Sequence, residues 1–595
     1  MESKEEIAKL IEKELKAKLK KNEILEMLEA PKERELGDFA FPCFKLTAIF
    51  KKNPAEIAKQ LEKEFKGKES KNNLEKVEAK GAYLNFFLEK SSIVKNIFKE
   101  VNENYGSSEE GKDKKIVVDF SSPNVGKPMH VGHIRSTIVG DSIMRCYNFL
   151  GYNTLGINYL GDIGLHIGKL IVAYELWLDK KALEQDPVKE LLRLYIKFCE
   201  KEKSEISEGQ DMEEEFADNE WTNKAREKLK LIELGDKKSH AIWEEIRHYS
   251  GKGFDKVYQL LKVNFNETTG QSKFSEKGKS AITNALKKGL AHSEKDGAVY
   301  VEFEKENLPK RYILRSNGTA SYITQDIGAA IERDKKYQFD KMIYVTDYRQ
   351  SLHFQQLFAI LKRFGYNFSD KCYHVGHGTV KFGKEIMATR EGKIILLEDV
   401  LKKTIEKAGK EIKKRKAKGE EFDKTKKNSN DKSDSEKNPE KIAIAAIKYI
   451  ILRNEPIKDV EFSWDAALNF EGDSGPYLQY AYARASSILK KAKEQKETKK
   501  TKSKPEAITS QETQLAKKIS EFPNTVREAA EKYSPNLLAA YSFHLSQLFN
   551  DFYHSCPVIN SDEETKNRRL KLIQAFRTTI RNSLYLLGIE VMEQM

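Results

Sequence analysis

At 595 residues, 39% hydrophobic and 33% charged, the chain can hold several domains on a prior of about 100–200 residues each, and no uncharged apolar run nears the roughly 18–20 residues that span a bilayer. The charged start, Met1-Glu2-Ser3-Lys4-Glu5-Glu6, offers no secretory signal, and five scattered cysteines (Cys43, Cys146, Cys199, Cys372, Cys556) without a C-x-x-C pair argue against a disulfide framework or a zinc knuckle, so a cytoplasmic protein with no membrane partner and no metal site is expected. A net charge of +13 and an isoelectric point near 9.0 permit a polyanionic partner but do not demand one.

Residues 1–110 combine helical spacing (Ile7, Leu10, Ile11, Leu15) with a strand-like segment from Gly81 to Leu88, which predicts a small α+β domain. Gly106-Ser107-Ser108-Glu109-Glu110-Gly111 is the expected linker. From about 115 strands and helices alternate. Strands are predicted at Ile116–Phe120, Thr154–Tyr159, Ala298–Phe303, Met342–Val345 and Tyr373–Val375, with helices at Thr137–Leu150, Gln325–Lys335 and His353–Phe364. That order predicts parallel β-α-β units in a doubly wound sheet over 111–395. Charged amphipathic helices at about 180–290 read as an insertion into it. Residues 396–470 read as a helical connecting region and 471–595 as an all-helical bundle. Two lysine-rich stretches, Lys410–Glu440 and Lys490–Ser510, have too few apolar groups to offset their chain entropy, so mobile insertions are expected there.

The most informative stretch runs from Val117 to His133: Val-Val-Asp-Phe-Ser-Ser-Pro-Asn-Val-Gly-Lys-Pro-Met-His-Val-Gly-His. A strand, a Pro/Gly turn and a helix start would put His130 and His133 where free backbone N–H groups and the helix dipole favour phosphate. Gly132 leaves room for a base or ribose to approach the backbone. Alone, a His-x-Gly-His tetrapeptide also suits an ordinary solvated loop. With Ser-Pro-Asn before it and Ile134-Arg135-Ser136-Thr137 after it, it resembles the "HIGH" signature of class I aminoacyl-tRNA synthetases, in the form found in the arginyl-tRNA synthetase family.

The resemblance implies a multidomain α/β chain. It comprises a Rossmann-like class I catalytic domain with a parallel sheet, a small α+β N-terminal domain that contacts tRNA, and an all-α C-terminal anticodon-binding bundle of the DALR type. It implies arginine, ATP with Mg²⁺, and tRNA as partners of a monomer. The implied reaction joins arginine to AMP with loss of pyrophosphate, a step that needs bound tRNA, and then moves the acyl group to the terminal adenosine. Phosphate chemistry of this kind needs alignment and charge stabilisation more than acid–base groups. His130 and His133 are the implied catalytic ATP contacts, with Gly132 beside them. The mobile K-M-S-K-S loop corresponds to Ile386-Met387-Ala388-Thr389-Arg390-Glu391-Gly392, where Ile386 replaces the first lysine and Ala388 the serine. Lys127 occupies the place of a compensating lysine and is the third implied catalytic residue. Lys384 and Met387 are further ATP candidates.

For the arginine side chain the resemblance singles out Tyr322, Asp326, Gln350, Asn124 and Asp119. Tyr322 and Asp326, four residues apart, would share a helix face, and a planar guanidinium is best held by carboxylates in an aromatic or polar frame. Taken singly, Asp326 would also serve as a helix cap and Asp119 as the partner of a nearby lysine. Gln271 stands where the family carries glutamate, which exchanges a charge-assisted bond for a neutral one, a difference of order ~1 kcal/mol. Tyr477, Tyr480 and Arg484 match the opening of the anticodon-binding domain, although aromatics at helical spacing are more often core. Tyr83 and Asn85 match base contacts of the N-terminal domain. The alternatives are a catalytically silent tRNA-binding paralogue, suggested by Ile386 and Gln271, and a class I synthetase for another amino acid.

Overall fold

The computed structural model describes residues 2–29, Pro31, Glu33, 36–69, 73–204, 219–382, 396–417, 438–494 and 505–595. Two units interleave along the chain. The first gathers Met1–Tyr105, Ala485–Phe522 and His544–Ile580. Its strands β1 (Phe39–Pro42), β2 (Leu74–Lys80) and β3 (Tyr83–Leu88) form an antiparallel sheet in the order β1-β3-β2. In the helix Pro54–Phe65, Ile57, Ala58, Leu61 and Phe65 recur on one buried face. Asn53 caps it by accepting from the Ala55 N–H at 2.9 Å. Phe65 meets Phe86 edge to face at 5.4 Å in a core shared with Ile7, Ile11 and Leu15. Elsewhere in this unit Phe549 stacks on Phe576 at 3.9 Å, and the buried Arg569 pairs with Glu506 at 2.6 Å.

The second unit gathers Gly106–Arg484, Pro523–Phe543 and Arg581–Met595. In chain order its strands are β4 (Lys115–Asp119), β5 (Asn153–Leu160), β6 (Glu267–Gly270), β7 (His292–Ser293), β8 (Val299–Phe303), β9 (Leu308–Leu314), β10 (Lys341–Asp347), β11 (Cys372–His377), β12 (Val380–Phe382) and β13 (Val460–Phe462). A parallel sheet runs β11-β10-β4-β5-β6. The unbroken apolar run Ile116-Val117-Val118 is buried throughout, as suits a central strand covered on both faces. The chain leaves β4 to build β5 on one side and later returns to lay β10 on the other. The order therefore reverses between β4 and β10, and a crevice opens at their carboxyl ends.

Three sequence expectations need correction here. Val299–Phe303, expected in the parallel sheet, pairs antiparallel with β7 and β9. The short link from Phe303 to Leu308 cannot make the crossover that parallel pairing needs. Conversely β6, assigned to the insertion, extends the parallel sheet beside β5, although its Glu-Thr-Thr-Gly sequence carries no apolar signal. Parts of the lysine-rich stretches expected to be mobile are helical. Lys410–Ala417 continues the helix Leu397–Ala417, whose Ala408 and Ile412 keep a buried face, Asn438 begins the helix Asn438–Leu452, and Lys490–Glu494 completes the helix Gly475–Glu494. Residues 418–437 and 495–504 of those stretches lie outside the described residues. Among the described residues no helix is long and apolar enough to cross a membrane.

The helices Ser275–Lys287 and Tyr322–Tyr337 cross at glycine on both sides. A methyl group on Gly278 would run into the Thr324 carbonyl oxygen, and one on Gly328 into that of Phe274. Backbone cannot swing aside as a side chain can. Gly278→Ala is therefore expected to cost about 1–3 kcal/mol of stability, read as a lower thermal midpoint than that of a helical control such as Gly251→Ala, where the added methyl meets nothing.

Candidate active site

The crevice at the switch point is a cleft of about 580 Å³. It brings together Asp119, Asn124, His130, Gly132, His133, Gln271, Tyr322, Asp326 and Gln350, which lie up to hundreds of residues apart in the chain. Ser121 and Ser122, which leave β4 toward it, both have left-handed backbone (φ 75 and 50), uncommon for non-glycine residues. Their surroundings over-determine that turn. The Ser121 N–H donates to Ser136 Oγ at 2.9 Å, Ser121 Oγ bonds Tyr258 OH at 2.8 Å, and the Ser122 N–H donates to Asn158 Oδ1 at 3.2 Å. Tyr258 belongs to the helix Lys237–Leu261, as does Ser250, whose Oγ accepts from the Gly126 N–H at 2.9 Å. The inserted helices thus brace the loop that leads into the site.

His130 is the N-cap of the helix Val131–Phe149. Its Nδ1 accepts from the Gly132 N–H at 3.0 Å, and its own backbone N–H donates to His133 Nδ1 at 3.2 Å. This reciprocal pair satisfies orphan donors of the first turn. It also fixes the chemistry of both rings: with Nδ1 accepting, each neutral imidazole carries its proton on Nε2. Gly132 permits this arrangement, because a Cβ there would lie 2.7 Å from His130 Cε1. The rings sit 4.0 Å apart. Burial holds both below the usual histidine value, helped by Lys127 and, for His133, by His130, so that His133 falls to about 3. Burial likewise lowers His166, beside Lys127, to about 4.

A pH dependence of stability follows. His133 and His166 are neutral in the folded chain, whereas in the unfolded chain they protonate near 6.5. Above pH 6.5 they contribute no difference. Between 6.5 and their lowered values only the unfolded state takes up protons, so stability falls as pH falls. Both rings keep some exposed surface, so screening limits the loss to about 1 kcal/mol each by pH 5. Denaturant midpoints measured from pH 7 to pH 5 should decline, and the decline should shrink in His166→Gln.

The carboxylates of the cleft differ in their partners. Asp119 pairs with the buried Arg333 at 2.8 Å and accepts from Ser122 Oγ at 3.0 Å, so its charge is already matched. Burial raises its carboxyl, and Arg333 opposes that rise. Asp347 accepts from Arg349 at 2.7 Å, which holds its carboxyl below the ordinary value. Asp326 instead meets an imidazole: His353 Nε2 lies 2.6 Å from its Oδ2. Arg311 and His353, which also line the cleft, were not singled out from sequence; the one available signal was His353 three residues after Gln350. Gln271 Oε1 is buried with no hydrogen-bond partner. Tyr322 opens the helix Tyr322–Tyr337 behind the cap Ser321–Thr324. Among the described residues no three His, Cys, Asp or Glu side chains come together as metal ligands.

Lys127 is not brought into the cleft. Its Nζ lies 4.4 Å over the Tyr195 ring, and it lines a separate pocket of about 30 Å³ with Val188 and Leu191. Lys384, Met387 and Ile386 lie outside the described residues. Of the residues assigned to tRNA, Asn85 is 4% exposed at the centre of β3 and Tyr477 is 9% exposed against Phe543, so both are buried positions. Tyr83 meets the exposed Phe44 edge to face at 5.6 Å. Arg484 donates to Tyr480 OH at 3.0 Å one helical turn away.

Comparison with known proteins gives the same family from three directions. The family model described as class I (R) tRNA synthetases, catalytic domain, matches residues 93–464. That of the arginyl tRNA synthetase N terminal domain matches 5–88, and that of the DALR anticodon binding domain 478–595. A Clostridium beijerinckii protein named arginine–tRNA ligase is 37% identical over the full length of both chains. A protein of the same name from Halothermothrix orenii is 37% identical, covering 100% of this chain and 99% of its own. The solved Thermus thermophilus arginyl-tRNA synthetase shares the fold, with TM-score 0.73 and 24% identity over 96% of each chain. The reversed sheet order, the histidine pair at the switch point and these matches along the whole length place the chain in the class I arginyl-tRNA synthetase family.

Proposed function

We infer that the chain is an arginine–tRNA ligase, which joins arginine to tRNA at the expense of ATP cleaved to AMP and pyrophosphate. The observation that carries the reading is the histidine pair at the helix start, with Nε2–H set as the donor on both rings. In the mechanism the arginine carboxylate attacks the α-phosphorus and pyrophosphate departs. Charge spreads over the phosphate oxygens in that step, and fixed donors at a helix N-terminus stabilise it without reorganising. His130 and His133 take that role, and because both stay neutral they donate without titrating near pH 7. The hydroxyl of the terminal adenosine then attacks the mixed anhydride and releases AMP.

In this reading the guanidinium of arginine meets Asp326, Gln271 and Tyr322, while Asn124 and Gln350, which line the same cleft, hold the rest of the amino acid. Asp119 shapes the pocket through Arg333 rather than binding substrate itself. With Asp119 and Asp347 already matched by arginines, Mg²⁺ would arrive on the nucleotide phosphates rather than in a protein cage. Residues 1–110 and 471–595 are assigned to tRNA, 111–395 to catalysis and 396–470 to the connection between them. Tyr83 with Phe44, and Tyr480 with Arg484, are the surfaces offered to unstacked bases. Action as a monomer and a cytoplasmic location belong to the same reading and rest on family likeness.

The test is ATP–pyrophosphate exchange with the purified chain across the amino acids, with and without cognate tRNA. Exchange with arginine alone, and only when tRNA is present, is the expected result. Binding of tRNA without exchange under any condition would mark the chain as a silent paralogue, and exchange with lysine or glutamate would reassign its substrate.

A further inference from the structure

We propose that His353 is a positioning residue for the arginine side chain: it holds the Asp326 carboxylate in one orientation and is itself held from behind by Arg311. The inference rests on the reading that the cleft takes arginine, and it adds the means by which the guanidinium acceptor is fixed. Three separate elements supply the chain of contacts. Arg311 comes from β9, His353 from the first turn of the helix Ser351–Arg363, and Asp326 from the helix Tyr322–Tyr337. Arg311 Nη2 lies 3.4 Å from His353 Nδ1, and His353 Nε2 lies 2.6 Å from Asp326 Oδ2.

A guanidinium has no acceptor, so the His353 Nδ1 that faces it must carry the lone pair. The proton is then on Nε2, where the carboxylate can accept it. Each contact dictates the same tautomer, and the ring is further wedged against Phe354, whose centroid lies 5.3 Å away. A neutral imidazole therefore stands between Arg311 and Asp326. Had Arg311 paired with Asp326 directly, it would have matched the carboxylate charge, as Arg333 does for Asp119 at 2.8 Å. With the imidazole interposed, Asp326 is oriented but keeps its charge, and Oδ1 remains for a planar cationic donor. Orienting the acceptor before substrate arrives removes an ordering cost from binding.

Steady-state charging of tRNA by the full chain, with arginine and ATP varied separately, tests this. H353A is expected to raise the KM for arginine about 10- to 100-fold, with the KM for ATP unchanged and kcat within about threefold. H353Q, whose amide can present a donor near the Nε2 position, should recover most of that loss. R311M should give a smaller rise, because the ring then loses the group that fixes its tautomer. An unchanged arginine KM in folded H353A, or an H353Q as impaired as H353A, would overturn the proposal. So would arginine and ATP KM values that rise together, since a merely structural role moves both. Should H353A fail to fold, R311M decides alone, and an unchanged arginine KM there sinks the idea. Failure of the underlying reading is separate and comes first: wild-type chain would charge no arginine at all.

Discussion

Replacement of His133 by alanine is expected to lower kcat for tRNA charging about 100- to 1,000-fold, the usual effect of removing one fixed donor from a developing oxyanion, with little change in the KM for arginine. The expectation rests on what the ring does in place. Its Nδ1 accepts from the His130 backbone N–H at 3.2 Å, which leaves Nε2–H as a donor that needs no reorganisation, on a residue that lines the cleft. His133→Asn keeps a short acceptor and a donor on one side chain and should retain more activity than His133→Ala. The alanine variant also loses its half of the helix cap, worth about 0.5–2 kcal/mol, so a thermal melt must accompany the kinetics. The pH profile supplies an independent check. With His133 lowered to about 3 by burial and its charged neighbours, its protonation should not limit kcat above pH 5. A wild-type kcat that halves near pH 6.5, with that transition absent in His133→Asn, would show that the ring titrates in the working range and would overturn the assignment of a neutral donor.

That site was largely legible in the sequence because its signals are local. A central strand buried on both faces reads as Ile-Val-Val, a helix start reads as Pro-Met-His-Val-Gly-His, and Tyr322 and Asp326 lie one turn apart on a single helix. What sequence reading missed depends on distance. Arg333 neutralises Asp119 from a helix more than 200 residues away, and nothing near Asp119 announces it. His353 stood inside a segment already marked for Gln350, yet its bond to Asp326 is visible only once two helices are placed side by side. β6 is recognisable only from its partner β5, because a four-residue edge strand of Glu-Thr-Thr-Gly has no periodicity to read. Lys127 shows the opposite case. Its position before the histidines looked local and sufficient, but the inserted helix Pro187–Ser204 brings Tyr195 beneath its ammonium.

Replacement of Asp326 by asparagine is expected to cut kcat/KM for arginine about 100- to 1,000-fold, mostly through KM, while the KM for ATP stays within about threefold. The charge distribution of the cleft sets this magnitude. Among the described residues lining it, Asp119 is matched by Arg333 and Asp347 by Arg349, and Gln271 is neutral. Asp326, bonded to an imidazole with its proton on Nε2, is the carboxylate left to a cationic substrate. Without it a guanidinium entering the cleft is desolvated with no opposite charge, which for a buried pair costs about 3–5 kcal/mol and somewhat less in an open cleft. The position of Gln271 supplies the complementary experiment. Its Oε1 is buried and without a partner, so it already lies where an acceptor could serve. Gln271→Glu in the Asp326→Asn background should restore about tenfold of the lost kcat/KM by returning one negative charge to the same pocket. In the wild-type background it should lower the KM for arginine by a smaller factor, because one carboxylate is already in place. If Asp326→Asn leaves the arginine KM unchanged in a folded enzyme, the guanidinium does not bind at this end of the cleft, and the roles given to Gln271 and His353 fall with it.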